Sequence, residues 1–386
     1  MALPFSYNVR NLVVRWRVTT LAVGAVALVV AVLVVLVAMA NGFRLALQAT
    51  GSTENAVLTQ RGSTGELTSG LSFDNARAVM VDARVTRDER GLPLASPEIF
   101  VVASLARKTG PIANVSLRGV TEAAFRVRQG VTITSGRPFT RGLNQLIVGR
   151  KVLERYAGVE VGSTLRIQRR DWVVTGVFDA NGGGFESEMW GDLDVLAAAF
   201  QRRGGYQSLT LRLRSPDDVA AFNDDLSRNP RMQVQLVQER KYYDDQSAQV
   251  SAPLLALAVF VALVMGVGAV FGAMNTMYAI VAARTREIGT LRALGFSRWS
   301  ILVSFVIEST LLALAGGVLG CLLAIPANGL SSAAGGANFA EVSFAFRITS
   351  AAIGAGMGTA LFIGLAGGLL PAWRASRVPI TAALRS

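Results

Sequence analysis

The sequence lacks several residue types on which many active sites depend. Its 386 residues include no histidine, one cysteine and, among 38 basic residues, only three lysines. The absence of histidine excludes a His-based catalytic triad and a His-ligated zinc site. The single Cys321 can form neither a disulfide nor a thiolate metal cluster within one chain. We therefore expect no catalytic residue, no metal site and no enzyme activity in this chain itself.

The lysines also exclude one kind of nucleotide site. In the GxxxxGK[ST] loop of P-loop ATPases, a lysine follows a glycine so that it can reach the phosphates. None of Lys108, Lys151 and Lys241 follows a glycine. We therefore expect no bound cofactor. If ATP drives this protein, ATP and magnesium are bound by another chain.

Long apolar runs are what the sequence has in abundance. Hydrophobic residues make up 51% of the chain and concentrate in intervals that are almost free of charge. Because a helix needs roughly 20 apolar residues to cross a bilayer, we predict transmembrane spans at 18–41, 253–279, 300–326 and 348–370. Phe43 and the residue after it are expected to continue the first helix outward.

The first span has one alternative interpretation. Arg15 and Arg17 precede an apolar run that ends in Ala38-Met39-Ala40, which imitates a secretory signal and its cleavage site. The apolar core of a signal is usually about 7–15 residues long, and the run over 18–40 is longer. We therefore expect a retained membrane span.

The position of the arginines predicts the orientation of the spans. In the short segments 1–17, 280–299 and 371–386, arginines are almost unaccompanied by acidic residues, whereas 42–252 carries both signs in nearly equal numbers. Short positive segments mark the cytoplasmic side of a membrane. We therefore place both termini and 280–299 in the cytoplasm, and 42–252 and 327–347 outside it. Because +9 of the net charge of +12 is divided among these flanking segments, a nucleic-acid partner is not expected.

The segment 42–252 predicts a mixed α/β domain. Several of its strand-like runs are rich in β-branched residues or alternate apolar with polar residues. The predicted strands are Glu98–Ala106, Val115–Val120, Gln145–Val148, Thr164–Gln168, Trp172–Phe178, Leu209–Leu213 and Gln233–Val237. Helices are expected at Asp192–Phe200 and after Ser215-Pro216, with the serine as N-cap. The predicted fold class is a membrane protein with four transmembrane α-helices and a large extracytoplasmic α/β domain between the first and second.

Small residues recur at four-residue spacing in the last three spans. The pairs are Gly268 and Gly272, Gly316 and Gly320 with the adjacent Gly317, Gly354 and Gly358, and Gly364 and Gly368. In lipid this spacing lets two helix backbones approach closely. Packing within the chain and dimerisation are equally good explanations.

Glu308 is a carboxylate roughly two turns inside the third span. A charge near the bilayer centre costs about 2.5–3.5 kcal/mol on insertion scales, so such residues usually face a partner or the interior of a bundle. We favour a structural or coupling role. A proton relay is the alternative, but the spans contain no second acid or base to receive a proton.

The cytoplasmic segment after the second span has two possible interpretations. Ile288, Leu291 and Leu294 recur at i, i+3 and i+6 among charged residues, which suits a short helix in a partner's groove. Composition alone favours an ordinary positive loop.

Several motifs, taken in order, resemble one family. Residues 284–295 carry R-x-R-E-I-G-x-L-R-A-L-G, Glu308 with Gly316, Gly317 and Gly320 gives E-x7-G-G-x-x-G, and 371–385 resembles P-A-x-x-A…P-x-x-A-L-R. Residues 135–139, 147–149, 161–162 and 173–178 are similar to a periplasmic core domain. Together they resemble the MacB/FtsX-like ABC transporter permeases of macrolide-exporter and lipoprotein-releasing type. Val378 replaces an aspartate that is frequent in the family, residues 45–130 match weakly, and an ATPase domain fused to the permease is not expected.

The resemblance implies a permease in the bacterial inner membrane that dimerises with a second copy or a paralogue. Its coupling helix would bind a separate cytoplasmic ABC ATPase, and a periplasmic adaptor and membrane lipid are further expected partners. The implied coupling residues are Arg284, Arg286, Glu287, Ile288, Gly289, Leu291, Arg292, Leu294 and Gly295.

Three functions remain open from the sequence. The leading one is export or extraction of a hydrophobic small molecule, peptide or lipoprotein. The second is a mechanotransmitting permease that regulates a cell-envelope enzyme. The third is a four-span receptor or scaffold without an ATPase.

Overall fold

The computed structural model describes residues 16–334 and 341–379, and these residues form two compact units. An α/β unit consists of Gly42–Ser251 and Ser331–Ala345, and a helical unit contains the remaining residues. The predicted cytoplasmic segments 1–17 and 371–386 extend beyond the described residues, as do Arg15 and the end of the C-terminal motif.

Helices alternate with strands through the α/β unit, and the four longest helices belong wholly or partly to the helical unit. The helices are α1 (Trp16–Gln48), α2 (Phe73–Met80), α3 (Ala123–Val127), α4 (Arg150–Arg155), α5 (Leu193–Ala199), α6 (Asp218–Arg228), α7 (Glu239–Ala283), α8 (Thr285–Ala293), α9 (Arg298–Ala324) and α10 (Ser350–Ser376). Short 3₁₀ turns occur at Glu66–Thr68, Gly184–Ser187 and Ile325–Ala327.

Four described helices are long and apolar enough to cross a membrane: α1, α7, α9 with the turn after it, and α10. They contain the predicted spans 18–41, 253–279, 300–326 and 348–370 almost completely. Helix α7 is much longer than its span, because a polar stretch from Glu239 precedes the apolar run and Pro253 lies inside the helix. Helix α1 likewise continues to Gln48, as expected from its outward extension.

The α/β unit is built on one ten-stranded sheet with the order β10-β1-β9-β2-β3-β8-β5-β7-β4, and β6 pairs with β7. Its strands are β1 (Asn55–Gln60), β2 (Ala95–Leu105), β3 (Ala113–Val120), β4 (Thr132–Gly136), β5 (Gln145–Gly149), β6 (Thr164–Ile167), β7 (Arg170–Asp179), β8 (Glu188–Asp192), β9 (Ser208–Arg212) and β10 (Val234–Gln238). Two hydrophobic cores form on this sheet. One involves β3, β5, β7 and β8, and the other β1, β9, β10, α2 and α6.

Every strand predicted from the sequence corresponds to an observed strand, but the prediction missed β1, β4 and β8. Strand β8 was missed because it begins at Glu188 and ends at Asp192, and acidic residues are uncommon in strands. Helix α6 begins later than predicted. Ser215 and Pro216 form a turn before it, and the Ser215 carbonyl accepts a hydrogen bond from the Asp218 N–H.

A two-stranded hairpin occupies part of the segment 327–347, which we had predicted only as a loop. Strands β11 (Ser331–Ala334) and β12 (Val342–Ala345) pair antiparallel. Phe344 of β12 packs edge to face against Phe43, with ring centroids 5.5 Å apart. A Cβ at Gly42 would lie 3.0 Å from the Ala345 carbonyl carbon, so this close approach requires glycine.

The recurrent glycines of the helical unit fall into two groups. In the first group a Cβ would collide with a neighbouring helix: Gly316 with the Val23 carbonyl, Gly317 with Ala360, Gly320 with the Ala27 carbonyl, Gly364 with Ala313 and Gly368 with Ser309. In the second group, Gly268, Gly272, Gly354 and Gly358, a Cβ would meet no atom of the described residues within 4 Å. Close helix approach within the chain therefore accounts for the first group alone.

Candidate coupling site

The predicted coupling helix, α8, is separated from α7 by Arg284, whose φ of −116° and ψ of 14° interrupt the helix. It ends in a Schellman motif. The Phe296 N–H bonds to the Leu291 carbonyl and the Gly295 N–H to the Arg292 carbonyl. Gly295 has φ +95°, a conformation that glycine adopts without steric cost. The L-G pair in the motif therefore fixes where this helix ends.

The inner face of α8 packs into the chain's own core. Ile288 is only 2% exposed and belongs to an apolar cluster with Met277, Phe305 and Ala372. Gly289 is also buried. Our expectation that Ile288 fills a partner's groove does not fit this burial, and Ile288 is a core residue of the helical unit.

Arg284 connects the start of the coupling segment to the intramembrane carboxylate. Its Nη1 lies 3.0 Å from Glu308 Oε2, and its Nε lies 3.0 Å from Glu287 Oε2. The guanidinium also lies over the Phe305 ring, 5.2 Å from the centroid. Glu308 is 2% exposed, so the two charges compensate each other away from solvent. Arginine does not deprotonate in proteins, which favours a structural or coupling role for Glu308 over proton transfer.

Arg292 connects the other end of α8 to the end of α10. Its Nη1 donates to the carbonyls of Ser376 and Val378, each at 3.2 Å. Cationic side chains suit the unpaired carbonyls at a helix C-terminus. Helix α8 is therefore held to α9 through Arg284 and to the end of α10 through Arg292.

The outer face of α8 is exposed. Arg286, Glu287 and Leu294 all point to solvent, and Leu294 is 70% exposed, while Leu291 is half-buried. Trp299, at the start of α9, is 74% exposed and was not among the predicted site residues. A tryptophan beside a cluster of arginines, in a segment predicted to be cytoplasmic, was the available signal in the sequence. These side chains form a mixed charged and apolar surface that a partner could cover.

A second ionic centre lies in the α/β unit and was not predicted. Arg118 on β3 is 1% exposed and uses all five of its N–H donors on three glutamates. Glu66, Glu98 and Glu188 accept these bonds over 2.6–2.9 Å. Burial alone raises the pKa of the Glu66 carboxyl, but the charge and hydrogen bonds of Arg118, the Ser208 hydroxyl and the charge of Arg128 together hold that pKa below its ordinary value of 4.5.

The same centre reaches the first residue of α7. Arg128 pairs with Glu98 and, through its Nε at 3.2 Å, with Glu239. The other Glu239 oxygen accepts from the Ser52 N–H at 3.1 Å and from Asn55 Nδ2 at 3.0 Å. The residues that follow α1 are therefore held to the residues that begin α7. The two arginines and four glutamates of this ionic centre carry an excess of negative charge.

Two family models match the chain. Residues 19–229 match the MacB-like periplasmic core domain, and residues 259–380 match the FtsX-like permease C-terminal region.

Known relatives agree with these matches. The macrolide export ATP-binding/permease protein MacB of Sodalis glossinidius is 30% identical over 325 residues, which cover 75% of this chain and 46% of that protein. MacB of Nitrobacter winogradskyi is 29% identical over 79% of this chain and 48% of its own length. The chain thus spans about half the length of the curated relatives it matches.

Two solved structures are similar to part of the chain. The periplasmic region of MacB from Actinobacillus actinomycetemcomitans matches with a TM-score of 0.39 and 13% identity, over 53% of this chain and 96% of that one. The extracellular domain of YknZ, a transporter of Gram-positive bacteria, matches with a TM-score of 0.36 and 15% identity, over 47% of this chain and 99% of that one.

The family models carry the assignment. The periplasmic core model alone covers more than half of the chain, and the permease model covers most of the last three long helices. The motif-based resemblance is therefore confirmed, and the chain belongs to the MacB/FtsX-like family of ABC transporter permeases.

Proposed function

We propose that this chain is the membrane subunit that couples ATP hydrolysis by a separate cytoplasmic ABC ATPase to movement of the α/β unit. The α/β unit would lie outside the cytoplasm, and its movement would export or extract a hydrophobic substrate or a lipoprotein. ATP and magnesium would be bound by the ATPase alone. The export function named for the MacB relatives supports this class of activity.

One observation carries the proposal. Helix α8 is attached at both ends to long helices, through the Arg284–Glu308 pair and the Arg292 bonds to the end of α10, while Arg286 and Leu294 remain exposed. A short helix held in this way transmits a displacement at its outer face to its neighbours instead of moving alone. Such an arrangement suits a site where force from another protein enters.

The orientation and the assembly follow the same proposal. Both termini and α8 would face the cytoplasm, as the arginine-rich segments predict. A second copy or a paralogue would pack against the helical unit. Gly268 and Gly272 of α7 are candidates for that contact, since a Cβ at either meets none of the described residues. A periplasmic adaptor would bind the α/β unit.

A charge on the exposed face of α8 tests the coupling role. We expect Leu294→Asp to abolish co-purification of the ATPase in mild detergent, together with the vanadate-sensitive ATP hydrolysis of the purified complex. Leu291→Asp should have the same effect, but Leu294 is the cleaner position because it is 70% exposed and its replacement should not disturb the core. The measurement is quantitative mass spectrometry of the eluate, in which the ATPase is identified by its P-loop.

The matched control is Leu92→Asp, which places the same charge at a position of the α/β unit that is 50% exposed. It should retain the ATPase at the level of the unchanged chain. Equal recovery of the ATPase with Leu294→Asp and Leu92→Asp would overturn the assignment. A stable complex with a cell-wall hydrolase, without transport, would favour the mechanotransmitting alternative.

A further inference from the structure

A polar cavity of about 620 Å³ lies in the α/β unit beside the β11–β12 hairpin. Three parts of the unit line it: the residues after β2, helix α4 and the hairpin. The lining residues are Arg107, Lys108, Thr109, Lys151, Glu154, Arg155, Ser331, Ser343, Phe344 and Ala345. A cavity of this size can hold a small ligand or the head of a larger one.

The cavity has an excess of positive charge. Four cationic side chains line it, including two of the chain's three lysines, and they face the acidic Glu154 and the neighbouring Glu341. Glu186 also pairs with Lys151 at 3.5 Å, so one positive charge is left over. Lys108 is exposed, and its ammonium group makes no ion pair or hydrogen bond within the part of the chain that the structure describes. It is available to an external anion.

The arginines of the cavity have unused donors. Arg107 and Arg155 both pair with Glu341, the second with Nη2 3.6 Å from Oε2. Their Nε–H groups are buried and have no acceptor among the described residues. A buried donor without an acceptor is unfavourable, and the oxygens of an anion in the cavity could satisfy it after a small side-chain adjustment. Lys151 differs, because its Nζ donates to the Gly182 carbonyl at 2.9 Å and pairs with Glu186 at 3.5 Å, so it already has partners within the chain.

The chain distance to the predicted spans indicates where an anion would come from. Ala345 precedes the predicted start of the fourth span by three residues, and an extended chain advances at most about 3.6 Å per residue. The Ala345 end of the cavity wall is therefore within about 11 Å of the predicted start of the fourth span. The headgroup region extends roughly 5–8 Å beyond the hydrocarbon on each side. Phe344 also contacts Phe43, two residues past the predicted end of the first span.

We propose that this cavity binds the phosphate of an anionic phospholipid headgroup in the outer leaflet of the membrane. The inference rests on the proposed function in one respect, the placement of the α/β unit outside the cytoplasm. Arginine and lysine donors suit a phosphate, and the position of the hairpin between two spans favours a lipid over a soluble anion. The bound lipid would hold the β11–β12 hairpin at the headgroup layer.

Retention of phosphatidylglycerol by the full chain tests the proposal. The protein is purified from nanodiscs that contain phosphatidylglycerol and phosphatidylcholine in equal amounts, and retained lipid is counted by native mass spectrometry. We expect the unchanged chain to retain phosphatidylglycerol preferentially. Lys108→Gln should lower that preference about five- to tenfold, which corresponds to about 1–1.4 kcal/mol. Since Lys108 has no partner in the described structure, its replacement should leave the fold intact.

The third lysine supplies the matched control. Lys241→Gln removes an identical charge from an exposed position outside the cavity, and it should not change the lipid count. Equal retention by Lys108→Gln and the unchanged chain would overturn the proposal. Displacement of the lipid by millimolar inorganic phosphate would overturn the lipid assignment and indicate a soluble-anion site. Neither readout requires the ATPase, so failure here is distinguishable from failure of the coupling role.

Discussion

The two units of this protein each bury an arginine against carboxylates, but the two centres are built differently. Arg118 in the α/β unit gives all five donors to glutamates that are themselves nearly inaccessible. Arg284 in the helical unit joins one buried carboxylate, Glu308, to Glu287, whose side chain is 57% exposed. The first centre is enclosed. The second extends from the interior of the helical unit to its surface.

The enclosed centre and the centre that reaches the surface suit two different roles of buried charge. A fully hydrogen-bonded buried network fixes one arrangement of its strands, because any displacement leaves a charge without a partner. An ion pair that continues to an exposed residue can respond to a protein that covers that residue. Under the proposed function, the Arg118 centre would therefore supply rigidity and the Arg284 pair would communicate with the ATPase.

The largest expected effect comes from removing the cation of the enclosed centre. Arg118→Met would leave Glu66 and Glu188 buried without their arginine partner, and Glu98 with Arg128 alone. Breaking even one buried pair costs about 3–5 kcal/mol, against a typical domain stability of about 5–15 kcal/mol. We expect little folded protein to accumulate in the membrane, measured by fluorescence-detected gel filtration.

The control for this variant is Arg166→Met, which removes an exposed pair with Asp171. Exposed pairs contribute roughly 0–1 kcal/mol, so the control should behave like the unchanged chain. If both variants accumulate equally, the enclosed centre is not what stabilises the α/β unit.

A smaller effect on folding, and a larger one on coupling, is expected at Glu308. Glu308→Ala removes the buried carboxylate from Arg284 and leaves it with the exposed Glu287, whereas Glu308→Gln keeps an oxygen acceptor at the same place. We expect the alanine variant to lower ATP-dependent activity of the purified complex at least several-fold while ATPase binding persists. The glutamine variant should lie between the alanine variant and the unchanged chain. Full coupling in the alanine variant would remove the distinction between the two centres.

The smallest effect is expected from overpacking a close contact between helices of the helical unit. A Cβ at Gly320 would lie 2.5 Å from the Ala27 carbonyl, whereas one at Gly268 meets none of the described residues. Overpacking typically costs about 1–3 kcal/mol, so Gly320→Leu should lower the thermal unfolding temperature in detergent. Gly268→Leu should leave that temperature unchanged and should weaken only dimerisation, measured by cross-linking. A stable Gly320→Leu variant would contradict the packing described here.

The sequence predicted those elements whose signal is local. The long spans and the strands of β2, β3 and β7 were predicted because apolar runs and β-branched residues mark them directly. Strand β8 was missed because Glu188 and Asp192 lie in it. Glu188 is stabilised there by Arg118, 70 residues away along the chain, and no local pattern reports such a pairing. Asp192 accepts a hydrogen bond from the Val195 N–H as the N-cap of α5.

The candidate site was predicted in part for a similar reason. The motif located α8 and its end at Gly295, because both depend on neighbouring residues. It assigned Ile288 and Leu294 to one face, although a helix turns about 100° per residue and six residues separate them by about 120°. The pairing of Arg284 with Glu308 requires tertiary structure and was not predicted.

The Schellman end of α8 has a consequence for how such permeases diverge. Gly295 at φ +95° and the buried Ile288 and Gly289 leave little freedom, so the length and the inner face of this helix are under strong steric constraint. Arg286, Glu287 and Leu294 are exposed, and Glu287 also bonds to Arg284. When a genome encodes several permeases and several ATPases, we therefore expect these three positions to determine which ATPase each permease binds. Exchanging the three residues should redirect a permease to another ATPase.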